Sequence, residues 1–212
     1  MGKLPNGILG PIEGKVGTVI GSSRNGIPYL KGPYKKRKKK ASGGEKQNHQ
    51  KFATAQNWLS PITPFLRVGF KGYTQKAPGF RGAISHLLNN GFEGVAPHQV
   101  IQPKLVKVSF GDLPLSENIT VEKWEQKYLK FSWDTGIVEG GSSKDQVMLL
   151  AYNPEEKSKI MSLTGNFRGT GTDQLIFPFG FGGIYHVYLA FVSADRSSQS
   201  NSVYLGEFTT EL

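Results

Sequence analysis

The residues with the most capacity for chemistry sit side by side. Lys35, Lys36, Arg37, Lys38, Lys39 and Lys40 form six consecutive cations between Gly32-Pro33 and the Gly43-Gly44 break. Lysine and arginine neutralise phosphates and release condensed counterions, an effect that grows with each contact and weakens steeply with salt. Only Glu13 and Glu45 lie nearby in sequence, so the run is not neutralised locally, and adjacent like charges repel and extend. Arg24 and Lys31 flank it, and Tyr29 and Tyr34 add rings on which bases can stack. These ten residues are the expected polyanion site, with nucleic acid (RNA or DNA) as the leading partner. A contact with an acidic protein or lipid surface, or a solvated loop, is the plainer reading.

The other reactive side chains point away from catalysis. Cysteine is absent, which excludes disulfides, thiolate metal sites and cysteine nucleophiles. His49, His86, His98 and His186 are far apart and lack the spacing of a helical zinc site, so they read as structural, with His49 and His86 on helix surfaces. Asp112, Asp134, Asp145 and Asp195 lie in turn-like contexts, where an Asx side chain bonds its own backbone. No two carboxylates are placed like a glycosidase pair. "RSSQSNS" at 196–202 lacks a Gly-x-Ser-x-Gly elbow, and "GNFRGTGTD" and "GFGGIY" lack the Gly-Lys-Ser/Thr ending of a phosphate loop. The expectation is a non-enzymatic protein without metal or cofactor.

The elements that must position the basic run follow from pattern. Residues 14–31 read as a hairpin, with Val16, Val19 and Ile20 in one arm, Ile27, Tyr29 and Leu30 in the other, and Asn25-Gly26 in the turn. From Glu45 to Leu59, Phe52, Ala55 and Leu59 recur at helical spacing. Pro61 and Pro64 stop or kink that helix, an apolar segment continues from Ile62 to Phe70, and Phe80 to Leu88 forms a second helical stripe closed by "NNG". "QVIQPKLVKVSFGDLP" at 99–114, with Pro103, suits an edge strand or connector. The expected division is a basic α+β domain over 1–115 and a second domain over 116–212. In the latter, seven short stretches at 119–121, 128–133, 147–152, 159–163, 174–179, 185–192 and 202–208 have strand character. The fold class is mainly β, with a small α+β N-terminal region and a C-terminal immunoglobulin/fibronectin III-like β-sandwich.

Charge is unevenly distributed as well. Through Phe52 there are 12 basic residues against two acidic ones, so the whole net charge of +10 is N-terminal. That leaves 14 of the 26 basic and 14 of the 16 acidic residues for the rest, a balance of zero. The chain of 212 residues is 37% hydrophobic and 20% charged, which is globular. "MGKLPNGILGPIEGKVG" has no apolar signal region, Asn6 stands where a myristoylation signal needs Ser or Thr, and no run reaches the roughly 18 apolar residues that span a bilayer. A location in the cytoplasm, or in a particle assembled there, is expected, with no membrane partner.

Residues 117–210 resemble a fibronectin type III domain. "YLKFSWD" is similar to the strand bearing that family's core tryptophan, here Trp133, and "GIYHVYLAFVSADRSSQSNSVYL" to its last hairpin, with Tyr185 near the strand start. This resemblance implies a scaffold for recognition and carries no catalytic residues. The whole chain also resembles an uncharacterised Bacteroidetes domain-of-unknown-function family. It does so through "NGILGPIEGKVGTVIGSSRNGIPYLK", "QKFATAQNWLSPI", "FGDLP", "AYNPEEK" and "FVSADRSSQSNSVYLGEF". That family implies no activity, and "KKRKKK" departs from its less basic linker. Function is therefore expected to be polyanion binding by the N-terminal loop and protein contacts by the sandwich. The alternative is a structural subunit of an ordered assembly, such as a phage-like virion or tail or a ribonucleoprotein, reached through self-assembly or a protein partner. A carbohydrate-binding module would rest on Trp124, Phe179 and Phe181, aromatics for which core packing is the simpler account.

Overall fold

The computed structural model describes residues 2–4, 6, 10–24, 26–36, 38–74, 78–95, 98–125, 127–136 and 138–210. The chain is mainly β, and among the described residues its α-helices lie in the N-terminal half. It divides into two compact units, residues 1–43 and 44–212.

The first unit is an antiparallel meander of β1 (Gly14–Val16), β2 (Val19–Arg24) and β3 (Ile27–Lys31). Gly17 and Gly26, in the two connections, take φ of 57° and 79°, a conformation that side chains resist. Gly26 thus fills its expected turn role, while Asn25 lies outside the described residues. The expected two-armed hairpin acquires a third strand through the pairs Gly14↔Gly21, Lys15↔Ile20 and Val16↔Val19. Upstream, Lys3 and Glu13 exchange backbone hydrogen bonds of 2.6 and 2.9 Å.

The second unit opens with α1 (Gly43–Leu59), which buries Ala55 and Leu59 but leaves Phe52 exposed. A 3-10 turn at Ser60–Ile62 leads into α2 (Thr63–Gly69). Pro61 and Pro64 sit in the first turns of these segments, where the missing N–H has no intrahelical acceptor, so they start helices rather than break one. Then come α3 (Phe80–Asn90) and a short ribbon of β4 (Phe92–Glu93) with β5 (Val100–Ile101).

Seven further strands follow, close to their expected positions: β6 (Thr120–Trp124), β7 (Tyr128–Ser132), β8 (Gln146–Asn153), β9 (Ser158–Ser162), β10 (Thr172–Ile176), β11 (Gly183–Val192) and β12 (Val203–Thr210). They form two antiparallel sheets, ordered β10-β7-β6 and β12-β11-β8-β9. Between the sheets, Leu129, Phe131, Trp133, Leu175 and Phe177 meet Val147, Leu149, Ala151, Tyr185, Val187, Leu189 and Phe191.

The alternate residues of β8 and β11 are buried as well. Met148, Leu150, Tyr152, Tyr188, Ala190 and Val192 pack with Leu59, Phe65, Leu66, Phe70 and Leu87 of the helical layer. The four-stranded sheet is thus the middle of three layers. Tyrosine hydroxyls on that face find backbone acceptors: Tyr152 Oη donates to Trp58 O at 2.8 Å and Tyr188 Oη to Pro103 O at 2.8 Å. Burial pushes the Tyr152 phenol up to about 12. The structure consequently divides the chain near Gly43 and not near Ser116. The helices share a core with the sandwich, and a boundary at 116 would cut through it. Among the described residues, no helix is long and apolar enough to cross a membrane.

Candidate functional site

Paired residues in an antiparallel sheet share a face, and faces alternate along each strand. In the meander, Ile20 pairs with Lys15 and Lys31, Ser22 with Tyr29, and Arg24 with Ile27. Lys15, Arg24, Lys31 and Tyr29 therefore stand on one face, and all four are exposed. The Lys31 ammonium lies 5.9 Å from the centre of the Tyr29 ring, so cation and aromatic are immediate neighbours.

The opposite face carries Val16, Val19, Gly21, Pro28 and Leu30. The preceding segment crosses it: a Cβ built on Gly21 would collide with the Ile12 carbonyl. Gly21 is thus fixed by close approach of two backbones. Exchanging Gly21 for alanine will loosen the meander by about 1–3 kcal/mol, the usual overpacking penalty. Hydrogen exchange of the β2 amides reads this directly, and unchanged protection would refute it.

Beyond β3 the described residues of the basic run have no regular secondary structure. Lys35, Lys36, Lys38, Lys39 and Lys40 are exposed, and Tyr34 is 86% exposed. Arg37 lies outside the described residues. The expected site residues that are described thus fall within the first unit, three of them (Arg24, Lys31, Tyr29) on one sheet face and the others on the segment that leaves it. Lys15 was missed by sequence reading. The hairpin pattern alone did not give the first strand's register, and only that register puts Lys15 beside Lys31. A shallow groove of about 220 Å³, lined by Gly10, Pro11, Ile12, Pro28, Tyr29 and Leu30, adjoins the same tyrosine.

In the second unit several of the polar residues weighed for chemistry have structural partners. Asp195 accepts from the hydroxyls of Ser193 and Ser197 at 2.6 and 2.7 Å, bonds that hold its carboxyl at about 2. Ser200 Oγ accepts from Phe191 N at 2.8 Å and Ser202 Oγ from Val108 N at 3.0 Å. His186 Nδ1 is 3.1 Å from Tyr204 Oη, and burial lowers its pKa against the opposing pull of Glu207.

His86 differs from its expected surface place. Its ring stands 5.4–6.3 Å from those of Phe110, Phe70 and Tyr73, and its buried Nδ1 lacks a hydrogen-bond partner. Burial, then nearby Lys107, lowers its pKa from 6.5. The folded state therefore takes up the proton later than the unfolded chain. Stability is full above pH 6.5 and falls as pH drops below it toward the depressed folded value. The thermal midpoint should fall between pH 7.5 and 5.5, and His86→Phe should reduce that fall. An equal fall in the variant would discount His86.

One buried ionic centre had no signal in the sequence beyond a glycine-flanked arginine. Arg168, 2% exposed, pairs with Asp145 at 3.2 Å and donates to Ser116 Oγ at 3.2 Å and Pro114 O at 2.7 Å. Its guanidinium carbon lies 4.2 Å from the Phe191 ring centre, and its carbonyl accepts from Trp133 Nε1 at 2.8 Å. Burial lowers its pKa despite the pull of Asp145 in the other direction. The geometry is that of a clamp joining three segments at one end of the sandwich.

Of the aromatics weighed for carbohydrate, Phe181 packs partly against the inter-sheet core, whereas Trp124 is 52% and Phe179 86% exposed, so core packing does not account for those two. Compared with known families, residues 11–206 match the model of a family of unknown function, DUF6266. No curated protein matches the chain.

Proposed function

The chain belongs to DUF6266, a family of unknown function, and from its own residues we propose a non-enzymatic binding protein whose N-terminal unit holds a polyanion, nucleic acid foremost. The observation that carries this reading is the register of the meander. It puts Lys15, Arg24, Lys31 and the Tyr29 ring on one exposed face, from which the basic run continues. Phosphates would contact the cations while a base stacks on Tyr29 or Tyr34. The sandwich then acts as a protein-facing module of the immunoglobulin/fibronectin III kind. Its strand order, β10-β7-β6 against β12-β11-β8-β9, supports that assignment. A cytoplasmic location, where nucleic acid is accessible, fits the same reading.

The test is the absorbance ratio at 260 and 280 nm of protein purified in low salt, before and after a high-salt wash. Nucleic acid that copurifies and is stripped by salt supports the reading. Protein already clean in low salt overturns it.

A second reading, a subunit of an ordered assembly, is favoured by one specific observation. All five residues of β3 are exposed, with Ile27 at 70% and Leu30 at 62%, on a sheet too small to bury its apolar side chains. Neighbouring copies or a protein partner would cover them. Light scattering after size exclusion decides: a strict monomer at high concentration removes self-assembly.

A further inference from the structure

The solvent face of the β10-β7-β6 sheet holds a cleft separate from the basic unit. Register places Trp124 beside Tyr128, and Glu122 beside Lys130 and Gln174, all on the side away from the inter-sheet core. Trp124, Lys130, Asn166, Thr172, Asp173 and Gln174 line an open concavity of about 510 Å³. The Lys130 ammonium lies 4.9 Å from the indole centre and steadies a ring that remains half exposed.

Backbone contacts fix the polar residues at this end of the sheet, with Asp173 bracing them from the core-facing side. Asp173 accepts from Asn166 N at 2.9 Å and Gln174 N at 2.8 Å, and the Asn166 amide donates to Thr172 O at 2.9 Å. Such fixing lowers the ordering cost of binding. An aromatic plane with a few placed polar groups is the usual makeup of a small-ligand site.

We propose that this cleft binds neutral carbohydrate. A pyranose presents one apolar C–H face, which suits the indole, and a rim of hydroxyls that both donate and accept. Amides donate and accept, so Gln174, on the Trp124 face, and Asn166 match that rim. The lining has one cation, Lys130, and one carboxylate, Asp173, which favours an uncharged ligand over the polyanion assigned to the first unit. The sequence offers Trp124, with Phe179 and Phe181, as an aromatic on which a carbohydrate-binding module would rest; register and exposure single out Trp124 and supply the rest of the site.

Affinity electrophoresis of the full chain through gels containing xyloglucan, laminarin, mannan or starch tests this, with heparin as the charged comparison. At least one neutral polysaccharide should retard the protein. Trp124→Ala should weaken that retardation at least tenfold and Gln174→Ala about threefold, while glutamine at 35–40 leaves it unchanged. Should Trp124→Ala fail to fold, Gln174→Ala decides, since that side chain is exposed. Retardation by none of the four, by heparin alone, or equally in the variants and the parent overturns the proposal. The glutamine variant separates this outcome from failure of the nucleic-acid reading.

Discussion

Exchanging Lys35, Lys36, Arg37, Lys38, Lys39 and Lys40 for glutamine will abolish copurification of nucleic acid and flatten the salt dependence of binding. Each phosphate contact contributes about 0.7 to the slope of log affinity against log salt for single strands and about 0.9 for duplex. Six lost contacts therefore remove roughly 4 to 5 from that slope. Arg24, Lys31 and Lys15 should retain a weak, shallow residue of binding, because they belong to the sheet face and not to the run. Exchanging Tyr29 for alanine tests the other half of the site. It should weaken single strands by about 1–3 kcal/mol and leave the salt slope alone, since stacking releases no counterions. Electrophoretic titrations of a labelled oligonucleotide at three salt concentrations measure both. An unchanged slope in the glutamine variant would sink the phosphate-binding role.

The largest effect on stability is expected at Arg168. Exchange for methionine keeps much of the packing against Phe191 but leaves the Asp145 carboxylate, itself 3% exposed, without its counter-charge. Breaking a buried pair from one side costs about 3–5 kcal/mol, a large share of the ~5–15 kcal/mol that holds a domain together. Asp145 also accepts from Ser142 N at 2.8 Å, so the turn at 142–145 should loosen with it. Removing both charges, as Arg168→Met with Asp145→Asn, should recover part of the loss, because no unpaired charge remains buried. Urea unfolding followed by tryptophan fluorescence reports the change, since Trp133 donates to the Arg168 carbonyl. A single-variant midpoint close to the parent's would mean that the pair is dispensable.

Much of this architecture was legible in the sequence. The strands from 119 to 208 came through as short apolar stretches between turn residues, and α1 and α3 through apolar spacings of three and four. The layering did not. "VMLLAY" and "YHVYLAFV" lack the apolar-polar alternation of a half-exposed strand, and unbroken apolar runs mark strands covered on both faces. That signal placed the helices on the sandwich, and the expected boundary at 116 overlooked it. At the candidate site, composition alone located the basic run. The co-facial Lys15, and the placement of Lys130 and Gln174 on the face of Trp124, depend on which residue pairs with which, and a single chain read linearly does not state its register. Arg168 was the least accessible: one arginine in a glycine-rich turn has no periodicity, and its partners Pro114, Ser116 and Asp145 come from two other loops.

The shared middle sheet also sets an order of events during synthesis. α1 to α3 emerge first, yet the surface that buries their apolar stripe belongs to β8 and β11, the latter completed about 100 residues later. At translation speeds of about 5–20 residues per second the helices wait roughly 5–20 s for that surface. Through that interval Leu59, Phe65, Leu66 and Phe70 have no sheet to cover them, so the nascent chain is most vulnerable to aggregation before its last hairpin is made.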